Sequence, residues 1–263
     1  MRLSRFLAAA SALLLTAALA LFGAGSAHAA GPVYVALGDS YSSGVGAGNY
    51  DSASGSCYRS SKAYPALWAA AHTPSGFSFR ACSGAKTTDV INSQLGPLSS
   101  ATTLVSISIG GNDAGYSDVM STCVLYSDST CRSRINTARA YATNTLPGQL
   151  DAVYDAITAK APSARVVVLG YPRFYRLGTT CIGLSETKRS AINSASDLLN
   201  DITAKRAADH GFTFADVRST FTGHELCSDS AWLHSLTYPV YESYHPTASG
   251  QSGGYLPAFA AVA

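Results

Sequence analysis

Short β-branched apolar segments recur along the chain at wide, fairly even intervals. They lie at positions 33–37, 77–81, 104–109, 165–169 and 212–217, and we predict a β-strand at each. Helical patterns lie between them, at 64–72, 87–95, 146–160 and 185–210; in the third, apolar residues from Leu150 to Ile157 repeat at the spacing of one helix face. Alternating strands and helices predict an α/β fold, with a parallel sheet covered by helices on both sides.

Four connections between these elements look enlarged. They lie at 44–61, 114–137, 171–184 and 219–244, and each contains at least one cysteine. We see neither an internal repeat nor a linker rich in Pro, Gly or Ser, so the pattern favours a single domain. Long ordered loops at the carboxyl edge of a parallel sheet are where substrate sites are usually built, and we expect one there.

The N-terminus differs from the rest of the chain. Two arginines precede an apolar stretch at 6–22, and the small-x-small pattern of a signal peptidase site follows at 27–29. We predict a secretory signal peptide at 1–29 and a mature domain at 30–263. The apolar stretch is short for a membrane anchor and no later segment is long enough to span a bilayer, so we expect a soluble extracellular protein without a stable anchor.

The charge of the mature chain argues against nucleic acid as a partner. The full sequence has 18 basic and 16 acidic residues, and loss of the signal peptide removes two arginines, which leaves equal numbers of each sign. No cluster or stripe of Lys and Arg is present to bind a phosphate backbone. Charged residues make up only 13% of the chain, so we expect an uncharged polar surface, which suits an exported enzyme.

Six cysteines form an even set in a chain predicted to reach an oxidising compartment, where disulfides are the default. Many pairings are possible. Pairing of nearest neighbours closes three consecutive loops, and we expect it: Cys57–Cys82, Cys123–Cys131 and Cys181–Cys227. The spacing does not fit a zinc site, so we expect no metal. A chain of this length can build a hydrophobic core without covalent cross-links, so we expect the disulfides to hold surface loops in place.

The first predicted strand runs directly into Gly38-Asp39-Ser40. Glycine permits a sharp turn there, which would place Ser40 at the mouth of the sheet with its hydroxyl exposed. A serine hydroxyl is a weak nucleophile at neutral pH, so it requires an adjacent base and donors for the oxyanion of a tetrahedral intermediate. The side chain of Asp39 would point away from that of Ser40, so we expect it to fix the turn rather than to transfer a proton.

Four stretches together resemble the GDSL or SGNH hydrolases. They are Gly38-Asp39-Ser40-Tyr41, with Tyr41 in place of the leucine in the family's name, Gly84 in "ACSGAKTTDV", Gly110-Gly111-Asn112-Asp113 after the third strand, and His245-Pro246 near the C-terminus. Their order and the six cysteines are similar to those of the secreted lipases and esterases of Streptomyces and related actinobacteria. The resemblance implies a three-layer α/β/α, flavodoxin-like SGNH hydrolase fold with a central five-stranded parallel sheet.

The resemblance also implies a role for each motif. Ser40 would be the nucleophile and His245 the general base. The backbone N–H groups of Ser40 and Gly84 and the side-chain amide of Asn112 would form the oxyanion hole. A glycine admits close approach of the oxyanion and an asparagine amide is a neutral donor, so the residues suit these roles. No metal or organic cofactor is implied, and Asp113 is expected to act as a loop or cap residue.

The group that orients His245 has two candidates. The family usually places an aspartate three residues before the histidine, whereas this chain has Glu242, whose extra methylene changes its reach. Some actinobacterial relatives are thought to use a backbone carbonyl instead, which here is that of Ser243. We favour the carbonyl, and thus a Ser–His dyad, because selection of the imidazole tautomer requires only a fixed acceptor.

The resemblance favours a monomeric esterase or lipase that hydrolyses small-molecule or lipid esters, acylglycerols and phospholipids among them. Deacetylation of polysaccharide is the alternative activity, because the same superfamily includes carbohydrate esterases. A non-catalytic extracellular binding module is the alternative from another class. No amphipathic lid helix is evident, so we expect little or no interfacial activation.

Two further enzyme classes fit the sequence poorly. The Gly-x-Ser-x-Gly pattern of the α/β-hydrolase nucleophile elbow occurs at Gly250–Gly254, but no predicted strand leads into it as that elbow requires. The glycines at 44, 46 and 48 lack the final two-residue gap of a dinucleotide-binding fingerprint, so a nicotinamide or flavin dinucleotide is not expected.

Overall fold

Five parallel strands form the centre of the described structure. The computed structural model describes residues 31–263, and the predicted signal peptide at 1–29 lies outside the described residues. The strands are β1 (Val33–Gly38), β2 (Gly76–Phe79), β3 (Leu104–Ser108), β4 (Arg165–Leu169) and β5 (Thr213–Ala215). They lie in the order β2-β1-β3-β4-β5, and every neighbouring pair is parallel. The predicted sheet is confirmed, although β2 and β5 are shorter than their sequence patterns suggested.

Helices connect the strands and follow the last one. They are α1 (Ser40–Ser43), α2 (Tyr64–His72), α3 (Thr87–Asp89), α4 (Tyr116–Leu125), α5 (Asp128–Asn144), α6 (Leu146–Lys160), α7 (Glu186–Asp209) and α8 (Leu256–Ala260). A π-helical turn, Val90–Gln94, continues α3, and a second one, Gly250–Tyr255, precedes α8. Within residues 31–263, we find no helix that is both long and apolar enough to cross a membrane.

The sheet is covered on both faces, and burial follows the alternation of side chains along each strand. Tyr34 and Ala36 of β1 pack into one core, together with α2, α4, α5 and α8. Val35 and Leu37 pack into a second core, to which α6 contributes most of the helical side chains. Both faces of the strands are therefore apolar, as is usual for a parallel sheet, and the molecule has the predicted three-layer α/β/α architecture.

The segment at 114–137 is mainly helical, and its prediction as an enlarged loop is wrong. It contains α4 and the first half of α5. The side chain of Ser127 caps α5 by accepting a hydrogen bond from the Thr130 backbone N–H at 3.2 Å. The buried face of α5 consists mostly of small residues, Cys131, Ala138 and Ala142 among them, so its apolar stripe is weak in the sequence.

The six cysteines are joined in nearest-neighbour pairs: Cys57–Cys82, Cys123–Cys131 and Cys181–Cys227. The first bridge joins the loop that follows α1 to the segment that follows β2. The second bridge joins α4 to α5, and the third joins the loop after β4 to the loop after β5. The bridges therefore tie together the connections that surround the carboxyl edge of the sheet.

Candidate active site

Ser40 is placed by a glycine turn at the end of β1. Gly38 has a φ of +120°, and a Cβ atom built there would lie 2.4 Å from the carbonyl oxygen of Ser108 on β3, so only glycine fits. Asp39 then caps α1, because its carboxylate accepts a hydrogen bond from the Tyr41 N–H at 3.0 Å. Ser40 is the first residue of α1, where a backbone N–H has no intrahelical partner.

His245 lies against Ser40, although 205 residues separate them in the sequence. The two atoms Nε2 of His245 and Oγ of Ser40 are 2.8 Å apart. On the other side of the ring, Nδ1 lies 3.0 Å from the carbonyl oxygen of Ser243. A carbonyl only accepts, so Nδ1 carries the proton of the neutral ring and Nε2 is left to accept the Ser40 hydroxyl; the tautomer is assigned from these contacts.

Glu242, the other candidate for orienting His245, is engaged elsewhere. Its Oε1 accepts a hydrogen bond from the hydroxyl of Tyr50 at 2.6 Å, and that hydroxyl in turn accepts the backbone N–H of Gly46 at 2.9 Å. The carboxylate therefore anchors the loop after α1. Of the two candidates, the backbone carbonyl of Ser243 is the one that contacts the imidazole.

Burial sets the electrostatics of the imidazole. Burial is the main cause that lowers the pKa of His245 to about 4; the nearby His234 contributes to the lowering, and the hydrogen bond to the Ser243 carbonyl opposes it. The ring is accordingly neutral at pH 7. A neutral imidazole is the form that can accept a proton from serine.

Gly84 and Asn112, the other two sequence-predicted residues, lie in adjoining turns. Gly84 has a φ of +78°, and a Cβ atom built there would meet no atom within 4 Å, so the space beside its backbone is open. The Nδ2 of Asn112 donates a hydrogen bond to the carbonyl of Ala85 at 3.0 Å. One N–H of that amide fixes the side chain beside the Gly84 turn, and an amide nitrogen carries a second N–H that can meet an oxyanion.

The two aspartates of the motifs have structural contacts. Asp39 is fully buried and accepts hydrogen bonds from the hydroxyls of Ser108, at 2.7 Å, and of Tyr171. Burial outweighs the opposing effect of these hydrogen bonds and raises the pKa of Asp39 to about 6. Asp113 accepts the hydroxyl of Thr87 at 2.6 Å and the backbone N–H of the same residue, and so caps α3. Neither carboxylate contacts the Ser40 hydroxyl.

Two tyrosines hold the backbone just before His245, a role that the residue pattern did not indicate. The hydroxyls of Tyr41 and Tyr116 both donate to the backbone carbonyl of Tyr244, at 2.7 and 2.9 Å. Tyr244 has a φ of +63°, a left-handed conformation that is strained for a bulky residue and is held by these contacts. The only signal in the sequence was the replacement of the family's leucine by Tyr41.

A groove of about 360 Å³ opens beside His245, and we call it the His245 groove. One wall is the α4 helix, and the other is the segment that ends at His245. Aliphatic and thioether side chains line it together with three tyrosines: Met120, Val124, Leu125, Leu236 and Val240, beside Tyr116, Tyr241 and Tyr244. No charged side chain of the described residues lines it, so the groove suits an uncharged apolar chain.

The described residues show no sign of a metal centre. Within positions 31–263, no group of three or more His, Cys, Asp or Glu side chains is arranged to hold a metal ion.

The arrangement has close counterparts among known proteins. Residues 36–252 match the model of the GDSL-like Lipase/Acylhydrolase family. Over 262 residues the chain is 68% identical to "Lipase 1" of Streptomyces coelicolor, with 98% of each chain covered.

Two crystal structures are similar along their whole length. The extracellular lipase from Streptomyces rimosus has a TM-score of 0.87 and 65% sequence identity, with 88% of this chain and 100% of that chain covered. Phospholipase A1 from Streptomyces albidoflavus has a TM-score of 0.88 and 63% identity, with 89% and 100% covered.

Proposed function

The chain belongs to the GDSL-like lipase/acylhydrolase family and is a carboxylic ester hydrolase, and from this premise we propose that Ser40 and His245 act as a catalytic dyad on lipid esters outside the cell. The observation that carries the proposal is the 2.8 Å contact between Ser40 Oγ and His245 Nε2, on a ring whose Nδ1 is held by the Ser243 carbonyl. The nucleophile and the orienting group then both lie within hydrogen-bond distance of the base, as acyl transfer requires.

In the first half of the reaction, the Ser40 oxygen attacks the ester carbonyl carbon while its proton passes to Nε2 of His245. The charge that develops on the carbonyl oxygen is stabilised by the N–H groups of Ser40 and Gly84 and by the Asn112 amide. The imidazolium keeps its Nδ1–H on the carbonyl of Ser243. It then gives the Nε2 proton to the departing alkoxide, and an acyl-enzyme on Ser40 remains.

In the second half, water takes the place of the alcohol. His245 removes a proton from the water as the water oxygen attacks the acyl carbon, and the same oxyanion donors stabilise the second tetrahedral intermediate. Its collapse releases the carboxylic acid and returns the proton to the Ser40 oxygen. No cofactor enters any step, and one chain supplies both catalytic side chains, so the proposed mechanism requires no second subunit.

The substrate and the place of action follow from different features. The apolar lining of the His245 groove fits the acyl chain of a lipid ester. The names of the similar lipases and of the phospholipase A1 support acylglycerols and phospholipids as the substrate class. Three disulfides support export, because such bridges persist in oxidising compartments, and so does the signal peptide predicted at 1–29.

A chain-length series tests this proposal. We expect kcat/KM for p-nitrophenyl esters to rise from acetate towards medium-length acyl chains, by up to about fourfold for each methylene that enters the groove. Acetylated xylan is the matched substrate for the alternative activity and is expected to release no acetate above the background of the Ser40→Ala variant. A preference for acetate, together with rapid deacetylation of xylan, would identify a carbohydrate esterase instead.

The role of Glu242 is tested by replacing it with glutamine. We expect Glu242→Gln to stay within about threefold of the parent in kcat/KM, since glutamine keeps an acceptor oxygen for Tyr50, whereas loss of a triad acid costs about 10⁴-fold.

The pH dependence of the reaction follows from the pKa of His245, which burial lowers to about 4. Because only the neutral ring is active, kcat/KM of the parent and of the Glu242→Gln variant should fall as the pH drops through about 4.

The measurement is the pH profile of kcat/KM for a short soluble ester. Glu225→Gln is the control variant, because the Glu225 carboxylate accepts the backbone N–H of Gly223 in a different part of the same loop, the one that follows β5. A loss of several thousandfold in Glu242→Gln alone would mean that the glutamate, and not the Ser243 carbonyl, orients the base.

A further inference from the structure

Large apolar side chains are exposed to solvent along the segments that line the His245 groove and the cavity next to it. Ile182 is 99% exposed, Tyr238 is 91% exposed and Leu125 is 73% exposed. Val240 and Leu236 are also more than half exposed. We call these five residues the apolar rim. Single exposed apolar residues are common on proteins, but several around one opening mark a surface that another apolar body covers.

The apolar rim is continuous with the active site. Leu125, Leu236 and Val240 line the His245 groove itself. An adjoining cavity of about 150 Å³ shares Leu236 and Tyr244 with that groove and extends it to Ile182. A body that covers the rim would therefore lie directly over the path to Ser40 and His245.

The two loops that carry four of the five rim residues are uncharged. The segment at 177–185 contains no Asp, Glu, Lys or Arg, and neither does the segment at 230–241. Neither loop therefore supplies the lysines and arginines that attract a protein to anionic lipid. The rim combines aliphatic side chains with an exposed tyrosine, a side chain that favours the boundary between water and the apolar part of a lipid layer.

One edge of the rim is held in place covalently. Ile182 follows Cys181, which is bridged to Cys227 in the loop after β5. In addition, the backbone of Tyr175 forms an isolated bridge with Leu226, next to the same cysteine. The exposed Ile182 is therefore presented by a pinned turn, so less conformational entropy is lost when a partner covers it.

We propose that the apolar rim docks the enzyme on the surface of uncharged or zwitterionic lipid aggregates, with the groove facing the lipid. The proposal rests on the proposed function, because it assumes that lipid esters are the substrate. Docking places His245 beside acyl ester bonds at the lipid surface and requires no lid to open, because the groove is already open. The rim accordingly governs binding to lipid surfaces and not the chemistry at Ser40.

Vesicle sedimentation with catalytically inert protein tests the docking. The full mature chain with Ser40→Ala is expected to bind phosphatidylcholine vesicles, and to bind phosphatidylglycerol vesicles no more than severalfold better. Adding Ile182→Ser should weaken binding about tenfold, and adding Tyr238→Ser as well should weaken it about a hundredfold. The control is Ile91→Ser, which removes another exposed isoleucine from the layer on the other face of the sheet and should leave binding unchanged.

The same rim variants with Ser40 intact separate docking from catalysis. On p-nitrophenyl butyrate in solution they should keep the parent kcat/KM within about twofold, because neither side chain contacts the reacting groups. Parental vesicle binding by the double variant would overturn the proposal, and so would binding confined to anionic vesicles. If sedimentation equilibrium shows a dimer that the double variant abolishes, the rim is covered by a second copy. If the Ser40→Ala protein binds vesicles but the parent hydrolyses no ester, the proposed function is refuted while the docking proposal stands.

Discussion

Replacement of Ser40 by alanine is expected to lower kcat for ester hydrolysis by about 10⁶-fold, the scale seen when a serine nucleophile is removed from a hydrolase. The expected cause is the loss of the atom that forms the acyl-enzyme, since His245 and the oxyanion donors stay in place. The measurement is the rate of p-nitrophenyl butyrate hydrolysis, with enzyme concentrations chosen to reach the background. A fluorophosphonate probe should label the parent at Ser40 and leave the variant unmodified.

Ser43→Ala is the matched control for this variant. Ser43 lies in the same short helix and is also buried, and its hydroxyl makes a hydrogen bond to the Ser40 carbonyl at 3.3 Å. Its loss should cost about 1 kcal/mol of folding free energy or less, with activity largely retained. Both variants should unfold within a few degrees of the parent. Retention of more than a hundredth of the parental kcat by Ser40→Ala would show that the nucleophile lies elsewhere.

The central sheet could be predicted from the sequence because its signals are local. Strand β1 ends at Gly38, the run that contains β3 continues through Ile109 to Gly110, and α6 shows its buried face at helical spacing. A strand buried on both faces has few polar positions and hence no alternation, so its short length, its β-branched residues and the glycine that follows are what identify it. The helices at 114–137 were missed because the buried face of α5 consists mainly of small side chains, which give a weak apolar signal.

The parts of the site that the residue types do not reveal depend on backbone geometry. Every residue has a carbonyl oxygen, so only the resemblance to actinobacterial relatives favours the Ser243 carbonyl as the partner of Nδ1, whereas Glu242 attracts notice because it is a carboxylate. The direction in which Glu242 turns depends on Tyr50, a residue 192 positions away in the chain. Similarly, the clamp of Tyr41 and Tyr116 on Tyr244 depends on a left-handed backbone that no local pattern reveals.

The network around Asp39 connects the turns that carry the proposed catalytic groups. The Asp39 carboxylate caps α1 below Ser40 and also accepts the hydroxyl of Tyr171. That hydroxyl accepts the backbone N–H of Gly111 at 3.2 Å, one residue before Asn112. A buried carboxylate without partners is costly, so the three hydrogen bonds that it accepts hold these segments in one arrangement. Two donors of the proposed oxyanion hole, those of Ser40 and Asn112, are thereby held in place before substrate arrives.

Replacement of Asn112 by alanine is the second large effect that we expect. It should lower kcat by about 10²–10³-fold with little change in KM, since an oxyanion donor acts mainly in the transition state. Asn112→Asp keeps the shape but replaces the donor by a negative charge, and should lose at least as much. Binding of a phosphonate analogue of the tetrahedral intermediate should weaken in parallel with kcat for both variants.

Asn112 also bonds to the carbonyl of Ala85, so a structural loss has to be separated from a catalytic one. Asp113→Asn is the control, because it alters the next residue of the same turn and keeps an acceptor oxygen for Thr87. Its kcat should stay within about tenfold of the parent, and its thermal unfolding should resemble that of Asn112→Ala. If Asn112→Ala instead raises KM at unchanged kcat, the amide binds ground-state substrate, and the backbone N–H groups of Ser40 and Gly84 then stabilise the oxyanion without it.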